Sequence, residues 1–271
     1  MNSNAHPAVE FTGSIPRHYE EFLAPMFFEP YAIEVSKRIN TSGVQTVLEL
    51  ACGTGRVTRH LRNVIPSDAK LIASDISPDM LAIAKEKLGS SNIDWQIIDA
   101  QELAFNDNTI DLVVCCFGYM LVPDRSKAFA EAYRVLRPGG MLLFSTWDKL
   151  EVNAASYVYR TIAKKYLTET LPETYRLPFS MNDDEEIKRD LKQTGFSKIV
   201  VERVEKVCVS PSAREAANGL TQGGMIYNEI MKRNPAWINE IKETVEKELA
   251  EKFGASPMKA PMRALITVAW K

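Results

Sequence analysis

The chain has 271 residues, 45% of them hydrophobic, and a formal net charge of −2 at pH 7. That length and apolar content fit one globular domain with sizeable insertions. The balanced charge lacks the clustered Lys and Arg that phosphate binding needs, which disfavours a nucleic-acid partner, and no apolar run is long enough for a membrane span.

The opening segment, from Phe11 to Pro30, is dense in aromatics and proline. It reads as a helical segment (residues 1–40) covering a sheet, with a sharper reading as a lid in which Tyr19 or Phe22 touches a ligand. Next, Val47-Leu48-Glu49-Leu50-Ala51-Cys52-Gly53-Thr54-Gly55-Arg56 reads as a buried strand, an acid near its end, a Gly-x-Gly turn and the start of a helix. Glycines permit a sharp turn and close approach of a ligand, and the helix offers unpaired N–H groups. The dinucleotide fingerprint wants a third glycine, and Thr58 stands there instead. A carboxylate at Glu49 also suits a cationic ligand better than a pyrophosphate, and S-adenosylmethionine (SAM) is such a ligand.

Lys70 to Asp75 is a second strand ending in an acid placed for ribose hydroxyls, and Ser77-Pro78-Asp79 caps the helix after it. A third strand is expected from Asp94 to Gln101, its Asp99-Ala100 end facing an adenine. A fourth, Asp111 to Phe117, is apolar throughout, as a strand covered on both faces should be. A helix from Asp124 to Leu136, with Asp124 as N-cap, leads through Arg137-Pro138-Gly139-Gly140 into a fifth strand, Met141 to Trp147. Beyond it, residues 149–181 should form one helix and an irregular loop. Strand 6 (Lys198 to Val209) and a last strand (Arg263 to Trp270) flank two helices within residues 211–260. The first is broken at Gly223-Gly224, and the second runs from Trp237 to Phe253. Both insertions are aromatic or apolar and should cap a substrate.

Glu-Leu-Ala-Cys-Gly-Thr-Gly, the Asp75 strand end, Asp99-Ala100 and Arg134-Val135-Leu136-Arg137-Pro138-Gly139-Gly140 together resemble the class I SAM-dependent methyltransferases. More narrowly, they are similar to the bacterial small-molecule group that includes the ubiquinone and menaquinone C-methyltransferases. The resemblance implies an α/β, Rossmann-like seven-stranded sheet of order 3-2-1-4-5-7-6 with strand 7 antiparallel. Residues 41–148 would form the SAM-binding core and 149–271 the rest of the sheet with its helical cap insertions, in one domain. It places Glu49, Gly53 and Gly55 at the methionine end of SAM, Asp75 at the ribose and Asp99 with Ala100 at the adenine. Ala51, Arg56, Ile76, Met80, Gln101, Cys116 and Tyr19 complete the expected cofactor set. Phe117 departs from the polar residue expected after the fourth strand in close relatives.

His18, Tyr19 and Tyr119 are the candidate general bases. The cysteines Cys52, Cys115, Cys116 and Cys208 lack a C-x-x-C spacing and read as small buried residues in a reducing cytoplasm; no metal site is expected. The favoured function is in-line methyl transfer from SAM to a small, partly hydrophobic acceptor, with S-adenosylhomocysteine (SAH) as product. A catalytically silent SAM-binding sensor or partner protein, an RNA or protein methyltransferase, and an NAD-dependent oxidoreductase are the alternatives. Oligomeric state and acceptor atom are not legible.

Overall fold

A computed structural model describes residues 11–89, 92–167 and 171–271. The first ten residues of the N-terminal segment and three residues of the 149–181 region therefore lie outside the described chain. The strands β1 (Thr46–Glu49), β2 (Lys70–Asp75), β3 (Asp94–Ile97), β4 (Ile110–Cys116), β5 (Leu136–Trp147), β6 (Ser197–Ser210) and β7 (Met258–Trp270) build one sheet. Its order is β3-β2-β1-β4-β5-β7-β6, as the resemblance implied. β7 runs antiparallel to both neighbours, and the remaining pairs are parallel.

The parallel strands are apolar because helices cover both faces. Val47, Leu48, Ile72, Val113, Val114, Leu142 and Leu143 are all essentially buried. α3 (Arg56–Val64) follows β1, α4 (Pro78–Leu88) follows β2, α5 (Arg125–Val135) follows β4 and α7 (Asp184–Thr194) precedes β6. Their starts obey the local signals: the Ser77 hydroxyl accepts from the Met80 N–H, and the Asp124 carboxylate accepts from the Lys127 N–H at 2.9 Å.

The chain order departs from β1 in both directions, to β2 and β3 on one side and to β4 and β5 on the other. That reversal opens a crevice at the carboxyl ends of β1 and β4, where open α/β sheets bind ligands.

Three extra pieces close over the crevice. The N-terminal piece is one irregular helix: α1 (Ile15–His18), a π-helical stretch (Tyr19–Phe28) and α2 (Glu29–Ser36). Pro25 lies inside the π-helical stretch, where it removes a backbone donor. The second piece follows β5: α6 (Ala154–Lys164), then two 3₁₀ turns, Glu173–Tyr175 and Leu177–Phe179. The third lies between β6 and β7: α8 (Ala213–Gln222), α9 (Ile226–Arg233) and α10 (Trp237–Phe253). α8 packs on both the π-helical stretch and α10, and α10 also packs on α6, so the pieces form a continuous helical cap.

Boundaries differ most from the sequence reading at three strands. β3 ends at Ile97, which leaves Asp99, Ala100 and Gln101 in the turn beyond it. β5 starts at Leu136 and β7 at Met258, both earlier than expected, because β7 pairs with β6 over nearly the whole length of each and the C-terminal end holds the Gly139-Gly140 stretch. There the Gly139 N–H donates to the Lys271 carbonyl, and the Lys271 N–H to that of Gly140.

Candidate functional site

The crevice is a cavity of about 320 Å³ roofed by the cap. Its floor is the turn after β1. Ala51, Gly53 and Gly55 have φ of 51°, 56° and 82°, and Phe117, just past β4, has φ of 57°. Two non-glycine residues in the left-handed region at adjacent strand ends are costly and cluster at functional sites. The Gly53 Cα faces open space, with nothing within 4 Å of where a Cβ would stand. Gly55 is different: a Cβ there would come within 2.8 Å of Leu88 Cδ1 and 3.3 Å of Ala84 Cβ. Its small size lets α4 approach the turn, and unlike Gly53 it does not line the cavity.

Asp75 organises the floor. Its carboxylate accepts the Gly53 N–H and the Ser77 N–H, each at 2.8 Å. Burial raises its pKa above the usual carboxylate range, against the pull of those N–H donors. Asp75, Ile76 and Met80 line the cavity beside Ser77, and Asp99, Ala100 and Gln101 line it from the turn after β3. Asp99 Oδ1 accepts the Gln101 N–H at 2.9 Å, and Gln101 Oε1 accepts the Asp124 N–H at 3.0 Å. Gln101 thereby ties this turn to the start of α5.

Glu49 sits one layer behind the wall, 1% exposed, and its Oε2 has no hydrogen-bond partner among the described residues. Burial pushes its carboxyl up to about 8, with Thr58 working against the shift and the Asp75 carboxylate adding to it. Cys116 does line the cavity; burial pushes its thiol up to about 12, helped by the Glu49 carboxylate. It is a protonated, inert wall residue. All four cysteines are free. A buried carboxylate with one oxygen unpartnered among the described residues, a bare glycine Cα and acids at the end of β2 and beyond β3 suit a ligand that is cationic at one end and carries hydroxyls and an adenine at the other. The residues fit SAM.

Arg56 also stands outside the cavity lining. It turns away from the cavity into an ion cluster: its Nη2 donates to Glu20 Oε1 at 2.6 Å, and its Nη1 lies 3.4 Å from Glu29 Oε2. Arg59 and His60 also bind Glu29, at 2.6 and 2.9 Å, and Lys87 binds Glu20. The cluster fastens the N-terminal helix to α3 and α4. The segment so held supplies Phe11, Tyr19, Leu23, Phe27 and Phe28 to the cavity. Tyr19 stacks on Phe28 with centroids 5.0 Å apart. Phe22 does not line the cavity and packs over Gly219 of α8 instead.

Two candidate bases fall elsewhere. His18 points back to the Ser14 carbonyl, 3.0 Å from its Nδ1. Tyr119 is fully buried between Phe129 and Phe144, its hydroxyl unpartnered among the described residues. Only its neighbours Gly118, Met120 and Leu121 reach the cavity. Tyr19 does reach it, but burial, reinforced by the Glu20 and Asp75 carboxylates, holds its phenol protonated.

The sequence reading made the insertions an aromatic, apolar cap, but it did not single out Trp147, Ser156 or Arg160 as lining the far chamber. Phe117 stacks on Trp147 at 4.2 Å, with Phe28 and Tyr31 edge-on to Phe117. The gap Gly223-Gly224, read as a break between helices, does break α8 from α9 and also lines the cavity. A Cβ at Gly223 would stand 3.0 Å from the Tyr19 N atom, so the break also lets the N-terminal helix approach closely. Ser156, Tyr159, Arg160 and Phe179 complete the chamber. Among the described residues no cluster of metal-ligating groups occurs, and no helix is long and apolar enough to cross a membrane.

Sheet order, glycine turn and strand-end acids define the architecture of a class I methyltransferase. Residues 47–140 match the family model described as a methyltransferase domain, and the chain resembles the class I SAM-dependent methyltransferases. Its curated relatives include the ubiquinone/menaquinone biosynthesis C-methyltransferase UbiE of Pseudoalteromonas translucida, 33% identical over 165 residues, 58% of this chain and 66% of the relative. UbiE of Escherichia coli O1:K1 is 38% identical over 153 residues, 54% of this chain and 61% of the relative. The matches thus span just under two thirds of the relatives' own lengths. Among solved structures, a putative methyltransferase of Bacillus halodurans superposes with a TM-score of 0.57 at 18% identity, covering 90% of this chain and 98% of that one. Haemonchus contortus phosphoethanolamine N-methyltransferase 2, in complex with SAM, has a TM-score of 0.58 at 19% identity, covering 95% and 56%. These structures share the fold.

Proposed function

We propose that this protein is a SAM-dependent methyltransferase acting on a small, partly hydrophobic acceptor. The observation that carries the reading is one continuous cavity with two chemistries: Gly53, Asp75 and Asp99 at one end, and a chamber walled by Phe117, Trp147 and Phe179 at the other. The roof admits a metabolite-sized molecule rather than a folded macromolecule, and the net charge of −2 does not favour phosphate backbones. Relatives named for C-methylation in ubiquinone/menaquinone biosynthesis support a small-molecule acceptor.

Bound SAM supplies an electrophilic sulfonium methyl, so the work left to the chain is alignment and exclusion of water. Asp75, with an oxygen on each flanking N–H, retains lone pairs for ribose hydroxyls. The Asp99–Gln101 turn, tied to α5, holds the adenine end. Glu49 provides the charge behind the ligand's ammonium group. The N-terminal aromatics and the stacked Phe117–Trp147 pair keep the transfer zone dry. Because His18 and Tyr119 are turned away and Tyr19 stays protonated, the reading includes no side-chain base among these three. The same observation favours, as the second reading, a SAM-binding protein without catalysis.

The test is incubation with methyl-labelled SAM and a soluble extract, followed by separation of metabolites from macromolecules. Label in the metabolite fraction, lost in Asp75→Ala, supports the enzyme. Label in RNA or protein overturns the small-molecule reading, and tight SAH binding without any label supports the silent binder.

A further inference from the structure

The wall that α6 lends to the cavity has a chemistry that SAM does not use. Ser156, Tyr159 and Arg160, at helical spacing, all reach the chamber. Arg160 is 7% exposed, and its guanidinium lies 5.1 Å from the Tyr175 ring centroid and 5.0 Å from that of Phe179. The surrounding shell holds it firmly: Arg160 Nη1 donates to the Tyr175 carbonyl, and the Tyr175 hydroxyl donates to the Arg160 carbonyl at 2.8 Å. Among the described residues no carboxylate pairs with it. Burial accordingly lowers its pKa to about 10. Tyr159 stands beside it, 4% exposed, with a buried hydroxyl that has no partner among the described residues.

A guanidinium carries five N–H donors, and the Tyr175 carbonyl engages only one of its nitrogens here. A buried cation without a counter-charge is unfavourable unless an anion completes it. Two aromatic rings offset part of that cost by cation–π attraction, yet they offer the N–H groups no acceptor. Both residues line the chamber rather than the SAM cradle, so an oxyanion arriving with the acceptor would satisfy the free N–H groups of the guanidinium and draw on the buried Tyr159 hydroxyl behind it.

We propose that Arg160 and Tyr159 form an oxyanion subsite, so that the methyl acceptor is a small carboxylate with an apolar or aromatic body. The inference rests on the methyltransferase reading for the word acceptor, but the subsite itself does not. A single buried positive charge matches a monoanion; a phosphate dianion would leave net negative charge in a dry chamber. Phe179, Leu121 and Met225 line the same chamber and suit the apolar body. Planar carboxylate geometry also matches the fork of the guanidinium.

The experiment uses the full chain saturated with SAH and three probes, 3-phenylpropionate, 3-phenylpropionamide and 3-phenylpropyl phosphate, titrated by ligand-observed NMR. The carboxylate should bind at least tenfold tighter than the amide and tighter than the phosphate. Arg160→Gln should bring carboxylate and amide within twofold while leaving SAH affinity unchanged. Arg160→Lys should restore part of the preference, and Tyr159→Phe should reduce it severalfold. Equal binding of carboxylate and amide to the wild type, no detectable carboxylate binding at millimolar concentration, or a preference that survives Arg160→Gln overturns the subsite. Tighter phosphate binding overturns the monoanion assignment. The wild-type comparison needs no variant to fold. Failure of the wild type to bind SAH is read separately and overturns the proposed function instead.

Discussion

The Asp75 carboxylate accepts the Gly53 N–H at 2.8 Å, joining the end of β2 to the glycine turn after β1. One side chain thus shapes the floor of the cavity and faces it. Asp75→Ala therefore does more than remove the proposed ribose acceptor: it strips two N–H groups of their partner and should cost about 3 kcal/mol of stability. SAH affinity should fall at least tenfold. Asp75→Asn, which keeps one carbonyl acceptor, should lose about half as much stability. Urea denaturation beside calorimetric titration with SAH separates the two effects; an Asp75→Ala variant of native stability would contradict the anchoring role.

The two glycines of the turn should respond oppositely to one added methyl group. Gly53→Ala projects a Cβ into open cavity, so the protein should fold at a cost of about 1 kcal/mol and lose SAH binding. In Gly55→Ala the Cβ meets Leu88 and Ala84, and the backbone stays left-handed. It should cost about 2 kcal/mol, with SAH affinity retained in whatever remains folded. Melting curves with and without SAH distinguish them.

Glu49 should make ligand binding proton-linked. With its carboxyl near 8 in the folded chain, it is largely protonated at neutral pH, and a bound ammonium group favours the charged form. SAH binding at pH 6.5 should release up to one proton, seen as a dependence of the calorimetric heat on buffer ionisation enthalpy. The sign for stability follows the raised pKa. The Glu49 contribution is full below the ordinary glutamate range and is lost as pH rises through about 8. Glu49→Gln should abolish both effects; buffer-independent heats in the wild type would refute them.

Tyr119→Phe should stabilise the protein by about 1 kcal/mol and leave SAH affinity unchanged. The hydroxyl is fully buried without a partner among the described residues, so deleting it removes a desolvation cost while Phe129 and Phe144 keep their ring contact. A drop in melting temperature would show that the hydroxyl has a partner after all.

Much of this protein is legible in the residues alone, where the determining interactions are local. The Ser77 and Asp124 caps, the exact span of β2 and the helix Trp237–Phe253 follow from capping chemistry and periodicity that act within a few residues. The sheet order followed from the family resemblance. Long-range packing settled the rest. Nothing near Arg56 in sequence announces that Glu20 will meet it, and Tyr119 follows a strand whose neighbours reach the cavity while its own ring turns into the core. Arg160 and Tyr159 look like ordinary surface and packing residues of an amphipathic helix. They become an unfilled polar corner only because Tyr175, Phe179 and the helical cap exclude water from them, and burial depends on every segment that folds over a residue, not on its neighbours in the chain.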